Sequence, residues 1–203
     1  MDYKIGVIMD KKTARQQYRQ SYSSRDANRK RTILPILKWY SFDSVLYVGA
    51  HPDRLHFVGL LSDYVKHIDV LEIWPENVKF LKTVPYFQNV FLGDVRKIDL
   101  VITNKYDLVF WWHGPEHIDV KELPETLSKI EKITNKVILL GCPWGVYEQG
   151  AEYNNPHEEH KCHLYLDFFE KLGFLTSTVG QKDNKEVSSS ITAWRDVEWK
   201  EDC

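Results

Sequence analysis

From residue 44 onward the chain alternates short apolar runs with stretches of helical periodicity, the order of elements that builds a parallel sheet. Val45-Leu46-Tyr47-Val48 is almost continuously apolar, as a strand covered on both faces must be. Residues 54–66 then carry Leu55, Val58, Leu60, Leu61 and Val65 at helical spacing. The unit repeats, with a strand over 68–73, a helix over 75–82 that has Pro75 in its first turn, and a strand over 89–94. A fourth strand is predicted over 106–112, a helix over 120–133 and a fifth strand over 136–142. Beyond a polar loop, 162–172 reads as a helix stopped by Gly173, and 175–179 with 189–194 as a terminal hairpin. This pattern predicts an α/β fold: a doubly wound, mostly parallel seven-stranded sheet that ends in a C-terminal antiparallel hairpin. Upstream, Pro35 disfavours helix at Leu34 but suits a first turn, so a short helix is expected over 35–40, docked on the sheet.

Open parallel sheets bind ligands beyond the carboxyl ends of their strands, near the point where strand order reverses. The predicted strands exit at Gly49, Glu72, Asp94, Trp111-Trp112-His113 and Cys142-Pro143-Trp144-Gly145. Glu72 follows Gly49 at close to the ~20 positions expected of an acid that accepts from both hydroxyls of a ribose. Capping of the helix at Pro75 is the structural alternative. Asp94 ends the next strand, where its carboxylate suits an adenine amino group. Order and spacing make the pair informative where neither acid is alone.

These segments, Val45 to Ala50, Val70-Leu71-Glu72-Ile73, Gly93-Asp94-Val95, Tyr106-Asp107-Leu108-Val109 and Gly173-Phe174 before a closing hairpin, resemble the class I S-adenosylmethionine (SAM)-dependent methyltransferases over residues 44–195. The resemblance implies SAM as cofactor. Gly49, Ala50 and His51 would meet its methionine portion, Glu72 and Ile73 its ribose, and Asp94 and Val95 its adenine. The family's first turn usually reads Gly-x-Gly-x-Gly, whereas this chain has Gly49-Ala50-His51-Pro52-Asp53.

The fourth exit, Trp111-Trp112-His113-Gly114-Pro115-Glu116-His117, is similar to the Glu-His pair that many small-molecule members carry beside the acceptor. His113, Glu116 and His117 are therefore the candidate catalytic residues, with a histidine taking a proton from the acceptor. A cap at Glu116 and a packed His117 are the bland alternative. Trp111, Trp112 and Trp144 are expected to wall the site, where an indole face would favour a sulfonium, or else to be ordinary core residues. The loop from Pro143 to Gly150, leading on to the segment from Asn154 to His163, is expected to shape the acceptor pocket. The Asn-Pro-Pro-aromatic turn of base-amino methyltransferases is absent. His157, His160 and His163 recur every three positions and on a helix would share part of a face. They do not form His-Glu-x-x-His, so no metal is assigned.

Composition narrows the picture. With 203 residues and 43% hydrophobic content the chain suits one domain, taken as 41–203, preceded by a basic, partly helical extension over 1–40. Nine Lys or Arg stand against one acid, Asp26, between Lys11 and Tyr40, in a chain of net charge −2. Such an arm would suit nucleic acid, a phosphorylated substrate or an anionic surface, but no nucleic-acid-binding motif accompanies it, and packing on the acidic body of its own domain is the simpler expectation. Cys142, Cys162 and Cys203 are odd in number and far apart, as reduced thiols are. No apolar run approaches the ~20 residues of a membrane span, and the N-terminus lacks a signal peptide's order, so a cytoplasmic location is expected. The expected function is methyl transfer from SAM to an O or N atom of a small-molecule or glycan acceptor.

Two other readings remain at this stage. Ala50-His51-Pro52-Asp53 matches the start of the Ala-His-Pro-Asp-Asp-Glu motif of zinc-dependent N-deacetylases, which would place His51 with His113 or His117 on zinc and Asp53 as base. Arg54 opposes it, because it sets a permanent cation where that family has a metal-binding acid. A methyltransferase-like binding module without catalysis is the other.

Overall fold

The computed structural model describes residues 24–184 and 189–197, with side chains from residue 29 onward. The basic positions from Lys11 to Arg25, and Cys203, lie outside this side-chain description. Seven strands form one sheet: β1 (Ser44–Val48), β2 (His67–Glu72), β3 (Phe87–Leu92), β4 (Tyr106–Trp112), β5 (Thr134–Pro143), β6 (Leu175–Val179) and β7 (Ser190–Asp196). Their order is β3-β2-β1-β4-β5-β7-β6, with β7 antiparallel to both of its neighbours and every other pairing parallel. The chain winds outward through β2 and β3, then returns to the other side of β1. That reversal between β1 and β4 is where a doubly wound sheet opens a crevice.

Side chains alternate between the two faces with period two, and each face has its own core. Val45 and Tyr47 of β1 join Leu108, Phe110 and Trp112 of β4 in one cluster. It is covered by α1 (Ser24–Trp39), α2 (His56–Leu61) and α3 (Pro75–Leu81) through Ile33, Phe57 and Leu81. Leu46, Val48, Val109 and Trp111 point the other way, under α4 (Ile98–Val101), α5 (Leu123–Lys132) and α6 (Leu166–Lys171), through Ile98, Leu127 and Phe169. Among the described residues no helix is long and apolar enough to cross a membrane.

The helix expected over 35–40 is instead the last part of the 16-residue α1, with Pro35 in its interior. Ile33, Ile36 and Leu37 are all buried, and that apolar anchoring outweighs the backbone hydrogen bond that proline forgoes. The helix expected over 162–172 shrinks to six residues, because Asn155–Cys162 is held as a loop by long-range backbone bonds. Lys161 N–H donates to the Glu116 carbonyl (2.8 Å), and His160 N–H to that of Gln149 (3.0 Å). His157, His160 and His163 therefore share no helical face.

Candidate active site

Backbone bonds draw the strand exits together at the reversal point. Gly49 N–H donates to the Leu71 carbonyl (2.8 Å), Gly93 N–H to Glu72 (3.0 Å), and His113 N–H to Gly141 (2.7 Å). Register sets Val48 opposite both Leu71 and Trp111, so the turns after β1, β2 and β4 leave the sheet level with one another. A cavity of about 380 Å³ opens there, lined among others by Gly49, His51, Glu72, Ile73, Asp94, Val95, Trp111, His113 and His117. Two candidates are not on its wall. Ala50 is fully buried in the core around β1, and Glu116 is buried behind His113.

Gly49 has φ +71°, a left-handed conformation that favours glycine, and a Cβ added there would meet no atom within 4 Å. The turn thus leaves an open cradle on the cavity wall. His51 takes over part of what further glycines would do: its Nδ1 accepts from Asp53 N–H (3.1 Å) and caps the 3₁₀ turn Pro52–Arg54. Burial, then the charge of Arg54, holds its imidazole below its ordinary pKa, so it is neutral at pH 7.

Glu72 is 5% exposed, and one carboxylate oxygen accepts from Trp74 N–H (2.8 Å) and Asn77 Nδ2 (3.4 Å). Burial pushes its pKa up to about 7 against those bonds. Asp94 departs from the expected free acceptor. Its carboxylate is held by the Arg96 guanidinium, Nη2 at 2.6 Å and Nε at 3.0 Å, and caps the 3₁₀ turn after β3 through Arg96 N–H. Although burial opposes ionisation, Arg96 keeps this carboxyl below the usual range.

Trp111 and Trp112 part company through strand parity. Trp111 stands at the cavity, while Trp112 stacks on Phe110 in the opposite core (5.7 Å between rings, 8° between planes). Trp144 packs against the second core and also lies off the cavity, which corrects the expectation that all three wall it. Gly114 has a packing role: a Cβ there would lie 1.6 Å from Trp111 Nε1.

His113, at φ +53°, turns its ring back onto Glu116, with 3.1 Å from Nδ1 to Oε1. Burial pushes the Glu116 carboxyl up to about 8, and burial with the charges of Arg29 and Arg54 holds His113 well below its ordinary value. His117 Nδ1 lies 3.2 Å from the Glu159 carbonyl, and burial followed by the neighbouring His160 brings its pKa down to about 4.

Local patterning gave no sign of Arg54 as a cavity residue, whereas Glu158 and Lys161 belong to the segment expected to shape the pocket. Arg54 reaches the cavity from the turn after β1, and Glu158 and Lys161 from the loop after β5, which folds back over Glu116 through the Lys161 N–H bond. The expectation that this loop shapes the pocket agrees with Asn155, Pro156 and His157 on its wall. The zinc-deacetylase arrangement does not form: Asp53 N–H occupies His51 Nδ1, and His51 is not among the residues whose ligand atoms converge.

Solved structures share this architecture. The N-methyltransferase NodS from Bradyrhizobium japonicum WM9 in complex with S-adenosyl-L-homocysteine (SAH) has a TM-score of 0.62 at 10% identity, over 90% of this chain and 97% of that one. A SAM-dependent methyltransferase from Archaeoglobus fulgidus gives 0.55 at 19% identity, over 89% and 98%. The methyltransferase domain of bacterial CtHen1 gives 0.56 at 16% identity, over 84% and 98%. No protein-family model and no curated protein matches the chain. The chain has the fold of the class I SAM-dependent methyltransferases, with their seven-stranded sheet and reversed β7.

Proposed function

We propose that the protein is a SAM-dependent methyltransferase that moves a methyl group to an O or N atom of a small-molecule or glycan acceptor. The observation that carries this reading is the cradle at Gly49, open above a left-handed turn, with Glu72 and Asp94 on the same cavity wall. Bound SAM would supply an electrophilic methyl group on a sulfonium. Gly49 and His51 would hold its amino-acid portion. The second oxygen of Glu72, which has no bond to Trp74 or Asn77, would accept from the ribose, and Val95 would lie against the adenine. Asp94, spent on Arg96, would shape the adenine end by fixing the turn after β3.

His113 is the proton acceptor in this reading. With Nδ1 directed to Glu116, its Nε2 is the nitrogen left for the cavity that the ring lines. A weak base suffices, because an oxygen or nitrogen that has just gained a methyl group holds its proton loosely. The acceptor class rests on the modest, partly polar pocket. Proteins of this fold differ widely here, as shown by the names N-methyltransferase NodS and magnesium protoporphyrin IX methyltransferase (ChlM) from Synechocystis PCC 6803.

Calorimetric titration with SAH tests the cofactor, with one site per chain expected. Transfer of labelled methyl from SAM to a panel of hydroxyl and amine acceptors tests the reaction. His113→Asn is expected to lower kcat by ~10²–10⁴-fold at unchanged SAH affinity. Absence of SAH binding overturns the reading.

A further inference from the structure

We propose that Glu116, His117 and His160 bind one first-row divalent transition ion, zinc by ligand type, next to the cavity wall at His117. The three residues come from the 3₁₀ turn Pro115–His117 after β4 and from the loop after β5. Each offers a ligand atom within 4.8 Å of the other two, and among the described residues no other such group of three forms.

The hydrogen bonds around the group preset its chemistry. His117 Nδ1 faces the Glu159 carbonyl at 3.2 Å, and His160 Nδ1 faces the Tyr147 carbonyl at 2.6 Å. A carbonyl only accepts, so in each ring Nδ1 carries the proton and Nε2 carries the lone pair. That is the tautomer a metal takes, and an outer hydrogen bond of this kind fixes ring orientation in metal sites. The rings stand edge to face at 4.9 Å between centroids.

Glu116 supplies the anion. Its Oε1 is taken by His113, while its Oε2 is buried without a hydrogen-bond partner. A buried acceptor left unpaired is costly, and a cation among two imidazoles would satisfy it. The loop that delivers His160 is pinned by the bond from Lys161 N–H to the Glu116 carbonyl, so the group is assembled before any ion arrives.

Two imidazoles and a carboxylate with an open position are the ligand set of catalytic zinc, and magnesium, which prefers oxygen, suits them poorly. Of the three ligands, His117 lines the cavity. The charge of Arg54 acts on all three ligands and opposes a second cation there, so the Glu116 carboxylate has to offset it. The ion's use in catalysis rests on the methyl-transfer reading, whereas its binding does not.

The test is titration of EDTA-stripped full-length protein with Co²⁺, followed by its visible absorption, and with Zn²⁺ by calorimetry. One ion per chain is expected, with the spectrum of imidazole-ligated Co²⁺. His117→Ala, His160→Gln and Glu116→Gln are each expected to weaken binding at least tenfold, and His163→Gln to leave it unchanged. Circular dichroism shows that the variants fold, and the isosteric Glu116→Gln keeps the proposal testable should an imidazole variant unfold. SAH titration with EDTA present reads the cofactor site alone. Loss of SAH binding with Co²⁺ binding intact sinks methyl transfer and leaves the ion site standing. No stoichiometric Co²⁺ binding, or equal affinity in all three ligand variants, overturns the ion site.

Discussion

Replacing Glu72 with Gln should make the protein more stable and its cofactor site weaker. Burial raises this carboxyl to about 7. Set against an ordinary value of 4.5, the shift corresponds to about 3 kcal/mol of penalty for holding the ionised form in the fold. The sign follows from the proton count. Between the two pKa values the folded protein keeps a proton that the unfolded chain gives up, so the penalty is absent below pH ~4, grows through the interval and is complete above pH ~7. Glutamine removes it while its amide oxygen still accepts from Trp74 N–H, now at 2.8 Å to Oε1. Urea unfolding should show Glu72→Gln more stable than wild type by about 1–3 kcal/mol at pH 8, with the difference vanishing near pH 4. Ribose hydroxyls bound to the carboxylate would lose a charged acceptor, a change of about 2 kcal/mol or ~30-fold in the Kd for SAH. Wild-type SAH affinity should rise with pH up to about 7 and then level, because the ligand favours the ionised form, and the variant should show no such dependence. A variant less stable than wild type at pH 8 would refute the burial argument, and unchanged SAH affinity would refute the ribose assignment.

Gly49→Ala should cost about 1–2 kcal/mol through its positive φ, which lowers Tm by ~2–8 °C in a domain of this size. SAH affinity should fall as well, and retention of full affinity would remove the cradle from the cofactor site. Gly114→Ala drives a methyl group into the Trp111 indole. A loss of about 1–3 kcal/mol, with altered tryptophan fluorescence and weakened SAH binding, is expected, and a silent variant would contradict the close approach. Asp69→Ala removes a buried acid that accepts from Asn89 N–H (2.9 Å) and Tyr106 hydroxyl (2.7 Å) and pairs with His67. It should destabilise by about 3 kcal/mol or more while leaving SAH affinity unchanged, since Asp69 does not line the cavity.

Local pattern was enough for the frame of the fold, because apolar strands between helical stretches report burial on both faces directly. Val45–Val48, Glu72 and the turn at Gly49 stand where spacing placed them. What spacing did not reveal depended on tertiary partners. Trp111 and Trp112 look alike in sequence, and only the face of the sheet separates them. Asp94 reads as a free acceptor until Arg96, two residues on, folds back to claim it. The three-residue recurrence of His157, His160 and His163 suggested a helix. In the fold His160 instead meets His117 across a loop, through a backbone bond to Glu116 that no local pattern encodes. His51 replaces a glycine because its ring caps the next turn, a substitution legible only once Asp53 N–H is seen at its Nδ1.

The antiparallel β7 has a bearing on how the chain folds. It inserts between β5 and β6, so until residues 190–196 are in place the long β5 presents an open edge. The same strand ties down the earliest described helix, through Thr32 Oγ1 to Thr192 Oγ1 (2.6 Å) and Tyr40 hydroxyl to Asp196 (3.0 Å). During synthesis α1 leaves the ribosome first among the described elements and waits for the last of them. The contact is of very high sequence separation and belongs late on the pathway. A nascent chain stopped before β7 would carry an unpaired hydrophobic strand edge beside a loosened basic helix, the state most exposed to aggregation and to capture by chaperones.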